Sequence, residues 1–193
     1  MTQPLSDESI QAAGAIQSEA PPSAPDLHAV FEEHVDHVGH SLRRLGVRDA
    51  DIPDLVQDVF VVLHHILPDY DPARPMWPWI FGVVYRVAGA YRRKAFREVP
   101  DGGVAGADRV DSSKSVEEAI RRSEDQKLVL EALEHVEIHR RAVFVMAEID
   151  ELGVPDIAQA LGIGLNTAYS RLRLAREEFR DAVSRLARKR GDL

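Results

Sequence analysis

The chain contains no cysteine. A disulfide framework, a thiol nucleophile and a cysteine-ligated zinc site are therefore excluded, and the composition fits a reducing cytosol. Aromatic residues are scarce, at 6% of the chain, which suits compact helical modules better than a sandwich or a barrel. No apolar run approaches the roughly 20 residues needed to span a bilayer. The N-terminus lacks the basic-then-apolar order of a secretory signal. No Gly-rich phosphate loop, nucleophile motif or HExxH sequence is present. The expectation is a cytoplasmic protein without membrane insertion, enzymatic activity or cofactor.

An excess of positive charge is also missing, since the net charge is −8. Its distribution matters more than its sum. Residues 86–97 hold five basic side chains (Arg86, Arg92, Arg93, Lys94, Arg97) and no acidic one. Residues 165–190 hold eight basic and three acidic. Each island is thus +5, leaving −18 for the remainder of a chain whose total is −8. Two basic islands on an acidic body suit a protein that touches phosphate at two places and a basic partner elsewhere.

The apolar pattern is helical throughout. Residues 1–25 are rich in Ser, Ala, Gln and Pro, lack periodicity, and are expected to be a disordered tail. Leu27, Val30, Phe31, Val35, Val38, Leu42 and Leu45 then recur at three- and four-residue steps up to Gly46. A second helix is expected from Pro53 to Pro68, and a third from about Pro75 into the first basic island. Residues 99–115 carry Gly102, Gly103 and Gly106 among Asp and Ser and read as a flexible linker. Helices resume over 116–133, 140–150, 154–161 and 165–189. With no alternating segment long enough for a strand, the chain reads as all-α: two small helical domains, 26–98 and 116–193, joined by the linker.

The strongest local signal lies at 154–179. Two helices crossing steeply over a tight turn need a small residue where they meet, and Ala158 provides it. The turn needs a residue that tolerates positive φ, and Gly162 follows four positions later. Ala168 and Leu172 can face the first helix. Pro155 and Asp156 suit its first turn. This is a helix-turn-helix, whose second helix offers Asn166, Thr167, Ser170, Arg171 and Arg173 to the major groove, with Arg176 further along as a DNA contact to phosphate.

Three stretches together resemble a known family. Asp54-Leu-Val-Gln-Asp-Val-Phe-Val-Val-Leu resembles region 2.2 of the sigma-70 factors. Trp77-Pro-Trp-Ile-Phe-Gly-Val-Val-Tyr-Arg-Val-Ala followed by Tyr91-Arg-Arg-Lys resembles regions 2.3 and 2.4. Arg141-Ala-Val-Phe-Val-Met-Ala-Glu-Ile through Arg176 resembles region 4. The linker is too short for a region 3 domain, so the chain is similar to the extracytoplasmic-function sigma factors. The resemblance implies that Asp54, Leu55, Gln57, Asp58 and Phe60 dock on the β′ clamp helices of core RNA polymerase. It implies that Trp77, Trp79, Tyr85, Arg86, Arg92, Arg93 and Lys94 capture the −10 element of promoter DNA. Region 4 would read the −35 element and dock on the β flap, and an anti-sigma factor would be a further partner.

The sequence departs from the family pattern at three places. Pro75-Met76 precede the first tryptophan and Pro78 stands between the two. His135-Val-Glu-Ile-His-Arg replaces the usual entry to region 4. Asn166 stands where Gly is common.

Two other readings compete with a sigma factor. A helix-turn-helix regulator acting without polymerase would share the C-terminal half but leave residues 54–63 and 77–94 without a task. A metal site on His34, His37 and His40 is disfavoured, because the third imidazole has rotated about 120° from the first on ideal helix geometry.

Overall fold

The computed structural model describes residues 25–98 and 116–191. Residues 1–24 of the expected tail, and the expected linker 99–115, fall outside that range. The described residues form helices and turns without a strand.

In the first half, α1 (Leu27–Arg44) buries Val30, His34, Val38, Ser41 and Leu42 along one face. It ends where Gly46 turns left-handed at φ 84°. Gly46 N–H donates to Arg43 O and Val47 N–H to Leu42 O, which satisfies two carbonyls that the helix end would orphan. A 3₁₀ turn at Asp49–Asp51 leads into α2 (Ile52–Ile66). Pro53 sits at the start of α2, where its missing N–H has no intrahelical partner to lose. The next helix, α3 (Met76–Glu98), contains Pro78 within its first turn. Amides there are unpaired in any helix, so Pro78 leaves Trp77 and Trp79 on one continuous helix.

In the second half, α4 spans Val116–Glu134 and α5 spans Ile138–Phe144. The Glu137 carboxylate caps α5, accepting from the His139 and Arg140 amides at 3.0 and 3.3 Å. The helix expected over 140–150 is α5 continued by a wider π-type turn, Val145–Ile149. That turn brings Asp150 inward, and Glu151 after it takes a left-handed φ of 55°. A non-glycine residue held there costs on the order of 1–3 kcal/mol. The helix-turn-helix follows as α6 (Val154–Leu161) and α7 (Leu165–Arg190). Gly162 joins them at φ 64°, and Ile163 N–H donates to Ala158 O at 2.9 Å.

The two halves share one core. Val38, Leu42, Val59, Leu63, Ile80, Phe81 and Val84 belong to the same buried cluster as Leu133, Val143, Met146, Ile157 and Leu172. A smaller cluster of Ala132, Ala182 and Leu186 packs α4 against α7. The α3–α6 contact is so close that a Cβ on Gly82 would lie 2.6 Å from the Ala160 carbonyl oxygen. Arg141 is wholly buried beside this core. Its guanidinium donates to the carbonyls of Glu134 and Val136 at 2.9–3.2 Å, a cation closing the C-terminal end of α4. Desolvation pushes its pKa down to about 10, with Arg92 adding to the fall, so it remains charged at neutral pH.

Candidate nucleic-acid interface

On α7, Ala168, Leu172 and Ala175 are buried and fix one side of the helix against its neighbours. Asn166, Ser170 and Arg173 therefore point outward from its first turns, and all are exposed. Thr167 is exposed at the edge of this face. Arg171 is half-buried and turned toward α3. There its charge opposes the burial that pushes the Tyr85 hydroxyl up. Arg173 pairs with Glu177 at 2.8 Å, and Arg176 with Glu148 at 2.7 Å. Exposed pairs of this kind are worth about 1 kcal/mol or less, so either arginine can exchange its carboxylate for a phosphate. Leu165 and Tyr169 share the same turns and are exposed too. Neither residue carries the charge, amide or aliphatic hydroxyl that marks a base contact in the sequence.

The seven α3 residues divide between two faces. Trp77, Tyr85 and Arg92 are spaced eight and seven apart and share one of them. That face meets both halves of the chain. Trp77 stacks on His37 with ring centroids 3.5 Å apart and 10° between planes. Its indole Nε1–H donates to Asp150 Oδ2 at 3.0 Å. The Asp150 side chain is only 1% exposed and also accepts from His37 Nε2 at 3.2 Å, with Arg44 at 3.5 Å. Tyr85 shares a hydrogen bond with His139 Nδ1. Arg92 donates to Leu45 O at 3.4 Å.

Trp79, Arg86 and Arg93 repeat at seven-residue steps on another face of α3. Trp79 leans on Tyr70 at 4.9 Å. With Arg86, Arg74, Asp156 and Gln159 it lines a cleft of about 190 Å³ between α3 and α6. Arg86, Arg93 and Lys94 are exposed.

On α2 the proposed docking residues divide by burial. Leu55 and Phe60 are buried in the core, and Phe60 meets Phe31 edge-on at 4.7 Å. Asp54, Gln57 and Asp58 are exposed. Val61 and Val62 stand beside them at 49% and 37% exposure. The outward face of α2 is thus acidic and apolar together, a mixture that the helical pattern alone did not separate from core.

Two family models match this arrangement half by half. Sigma-70 region 2 matches residues 30–98, and Sigma-70 region 4 matches residues 126–179. The chain belongs to the sigma-70 family. Region 2 comprises α1–α3 and region 4 lies over α4–α7, ending within α7. The chain is 27% identical to the RNA polymerase sigma factor CnrH of Cupriavidus metallidurans, over 74% of this chain and 78% of that one. It is 24% identical to the ECF RNA polymerase sigma-E factor of Escherichia coli, over 79% and 84%. Two solved structures share the fold. One is CnrH with the cytosolic domain of CnrY, at TM-score 0.59 and 23% identity over 82% of this chain and 87% of that one. The other is the sigma factor RpoE with the anti-sigma factor NepR from Bartonella quintana, at TM-score 0.69 and 17% identity over 82% and 97%. As a sigma factor, the chain directs RNA polymerase to promoters in transcription initiation. No described helix is long and apolar enough to cross a membrane.

Proposed function

We propose the following division of labour among the named residues. The exposed Asp54, Gln57, Asp58, Val61 and Val62 of region 2 dock on core polymerase, while Leu55 and Phe60 hold that face in shape from beneath. Trp77, Trp79, Tyr85, Arg86, Arg92, Arg93 and Lys94 serve the −10 element, where rings stack on unpaired bases and cations hold the backbone. Asn166, Thr167, Ser170 and Arg173 read the −35 element, with Arg171 and Arg176 on its phosphates. The protein works in the cytoplasm as a non-catalytic polymerase subunit, and an anti-sigma factor is its regulatory partner. The observation that carries this reading is the outward face of α7, locked in orientation by Ala168, Leu172 and Ala175.

The packing described above is a closed form within this scheme. Elements named for positions −10 and −35 lie about 25 base pairs apart, roughly 85 Å at about 3.4 Å per base pair. Regions 2 and 4 in direct contact cannot reach both. The 17 residues of 99–115 span about 60 Å when extended, enough to supply most of that distance. Opening also parts Trp77 from Asp150, Tyr85 from His139 and Arg92 from Arg141.

Reconstitution with core polymerase tests the scheme. The full chain should support initiation from specific promoters, and core polymerase alone should not. A chain that binds duplex DNA tightly by itself but never supports initiation would instead be a free-standing regulator.

A further inference from the structure

All four tyrosines of the chain are described, and three of them are engaged. Tyr70 donates to the Arg74 carbonyl, Tyr85 bonds His139, and Tyr91 donates to Asp51 at 2.6 Å. Tyr169 has no hydrogen bond, ring contact or place in either core cluster among the described residues, and it is 53% exposed. Leu165, one helical turn earlier, is 46% exposed. These are two large apolar side chains in the first turns of α7, about 40° apart around the helix axis, at the border between its buried stripe and its outward face. On ideal geometry Tyr169 stands about 60° from Asn166 and about 40° from Arg173 around the helix axis. It therefore belongs to the same outward face as the polar residues assigned to the −35 element.

We infer that Tyr169, extended by Leu165, is a specificity-determining residue that reads the 5-methyl group of thymine in the −35 duplex. The inference rests on the reading of α7 as the −35 helix and adds to it the base that the apolar half of the face selects. In the major groove each base pair shows a distinct set of donors and acceptors, and thymine alone presents a methyl group. An arginine or asparagine finds its complement on guanine or adenine. A tyrosine ring and a leucine stem find theirs on that methyl. The charge of the helix supports DNA as the occupant, because the eight basic residues of 165–190 face three acidic ones. A polar half (Asn166, Ser170, Arg173) and an apolar half (Tyr169, Leu165) on one face specify a mixed sequence in which thymine lies next to a purine contact. Removing Tyr169 takes away the thymine preference and leaves the purine contacts in place.

The test uses the full chain with core polymerase and a promoter library randomised across the −35 region. Wild type should enrich thymine at one or two positions, and Tyr169→Ala should lose that preference while keeping the other enriched bases. Replacing the enriched thymine by uracil, which deletes only the methyl, should weaken wild-type binding roughly three- to fivefold, the worth of one buried methyl. The same replacement should leave Tyr169→Ala unchanged. Tyr169→Phe should behave as wild type, because the ring and not the hydroxyl makes the contact. An unaltered consensus and an unaltered uracil effect in Tyr169→Ala overturn the inference. A library in which wild type enriches no −35 sequence at all, despite productive initiation, overturns the underlying reading of α7 as well. Far-ultraviolet circular dichroism of each variant confirms that this exposed position is not needed for folding.

Discussion

Trp77 donates its indole N–H to Asp150 across 73 residues of sequence, and this one bond joins the first turn of α3 to the loop after α5. Around it lie the His37 ring stacked on Trp77 and the Arg44 guanidinium. Burial lowers the Arg44 pKa, and Asp150 opposes the fall. The carboxylate is therefore shared by Trp77, His37 and Arg44, and it ties region 2 to region 4 beside their common core.

Asp150→Ala should destabilise the closed chain by about 2–4 kcal/mol, because it leaves the indole N–H and a half-buried guanidinium without their partner. Urea denaturation of the full chain measures the loss. Fluorescence energy transfer between labels on α2 and α7 should report a longer distance in the variant. Equal distances and equal midpoints would show that the seam does not depend on this residue.

Gly82→Ala tests the other side of the seam. The added Cβ would meet the Ala160 carbonyl oxygen at 2.6 Å, and that atom is backbone. Relief requires α6 to move off α3. The expected cost is about 1–3 kcal/mol, seen as a larger label separation with unchanged helix content. An unchanged separation would mean that α3 and α6 adjust in place.

The α2 face separates docking from folding. Val61 is half-exposed, so Val61→Asp should fold normally yet weaken co-purification with core polymerase about tenfold or more, the scale of a contact worth about 1.4 kcal/mol. Leu55→Ala should act differently, losing about 2–4 kcal/mol of stability from a buried position. A Val61→Asp chain that binds polymerase as wild type does would remove this residue from the docking face.

Stability should fall as the solution becomes acidic. Burial holds His34 below its usual value of 6.5, with Glu33 opposing and His37 reinforcing the shift. Burial also lowers His40, with Arg44 and Arg43 adding and Asp36 opposing. The folded chain thus keeps both imidazoles neutral at a pH where the unfolded chain has begun to protonate them. Stability from this source is complete above 6.5 and is lost as pH falls through the window just below it. Urea midpoints near pH 7.5 and near pH 5.5 measure the slope, and His34→Gln should reduce it. Identical slopes in the two proteins would remove His34 as a cause.

The helices themselves were legible because each buries one face at helical spacing, as Val30, Val38 and Leu42 show. The helix-turn-helix was legible for the same local reason, through Ala158, Gly162 and Ala168. The seam was not. Asp150 meets His37 across 113 residues and Trp77 across 73, and nothing periodic marks such a meeting. Trp77 carries the same ring whether it stacks on a base or on His37. Leu55 and Phe60 were grouped with Asp54 and Asp58 because they share a motif, although only the latter pair faces outward. Tyr169 could have been found by placing the exposed face of α7 opposite Ala168 and Ala175 before asking which residues are charged.

Gly46 carries a consequence of another kind. A Cβ there would meet Arg92 at 2.6 Å and Arg141 at 2.7 Å, so two guanidiniums of like charge converge on a glycine. Desolvation and the Arg92 charge lower the Arg141 pKa, with Glu134 and Glu137 opposing, and one nitrogen of Arg141 has no hydrogen-bond partner. The joint between the halves thus has a latch at Asp150 and a spring at Gly46. A DNA backbone drawing Arg92 outward would exchange a repelling neighbour for a phosphate. The same charge that strains the shut protein would then reward the open one.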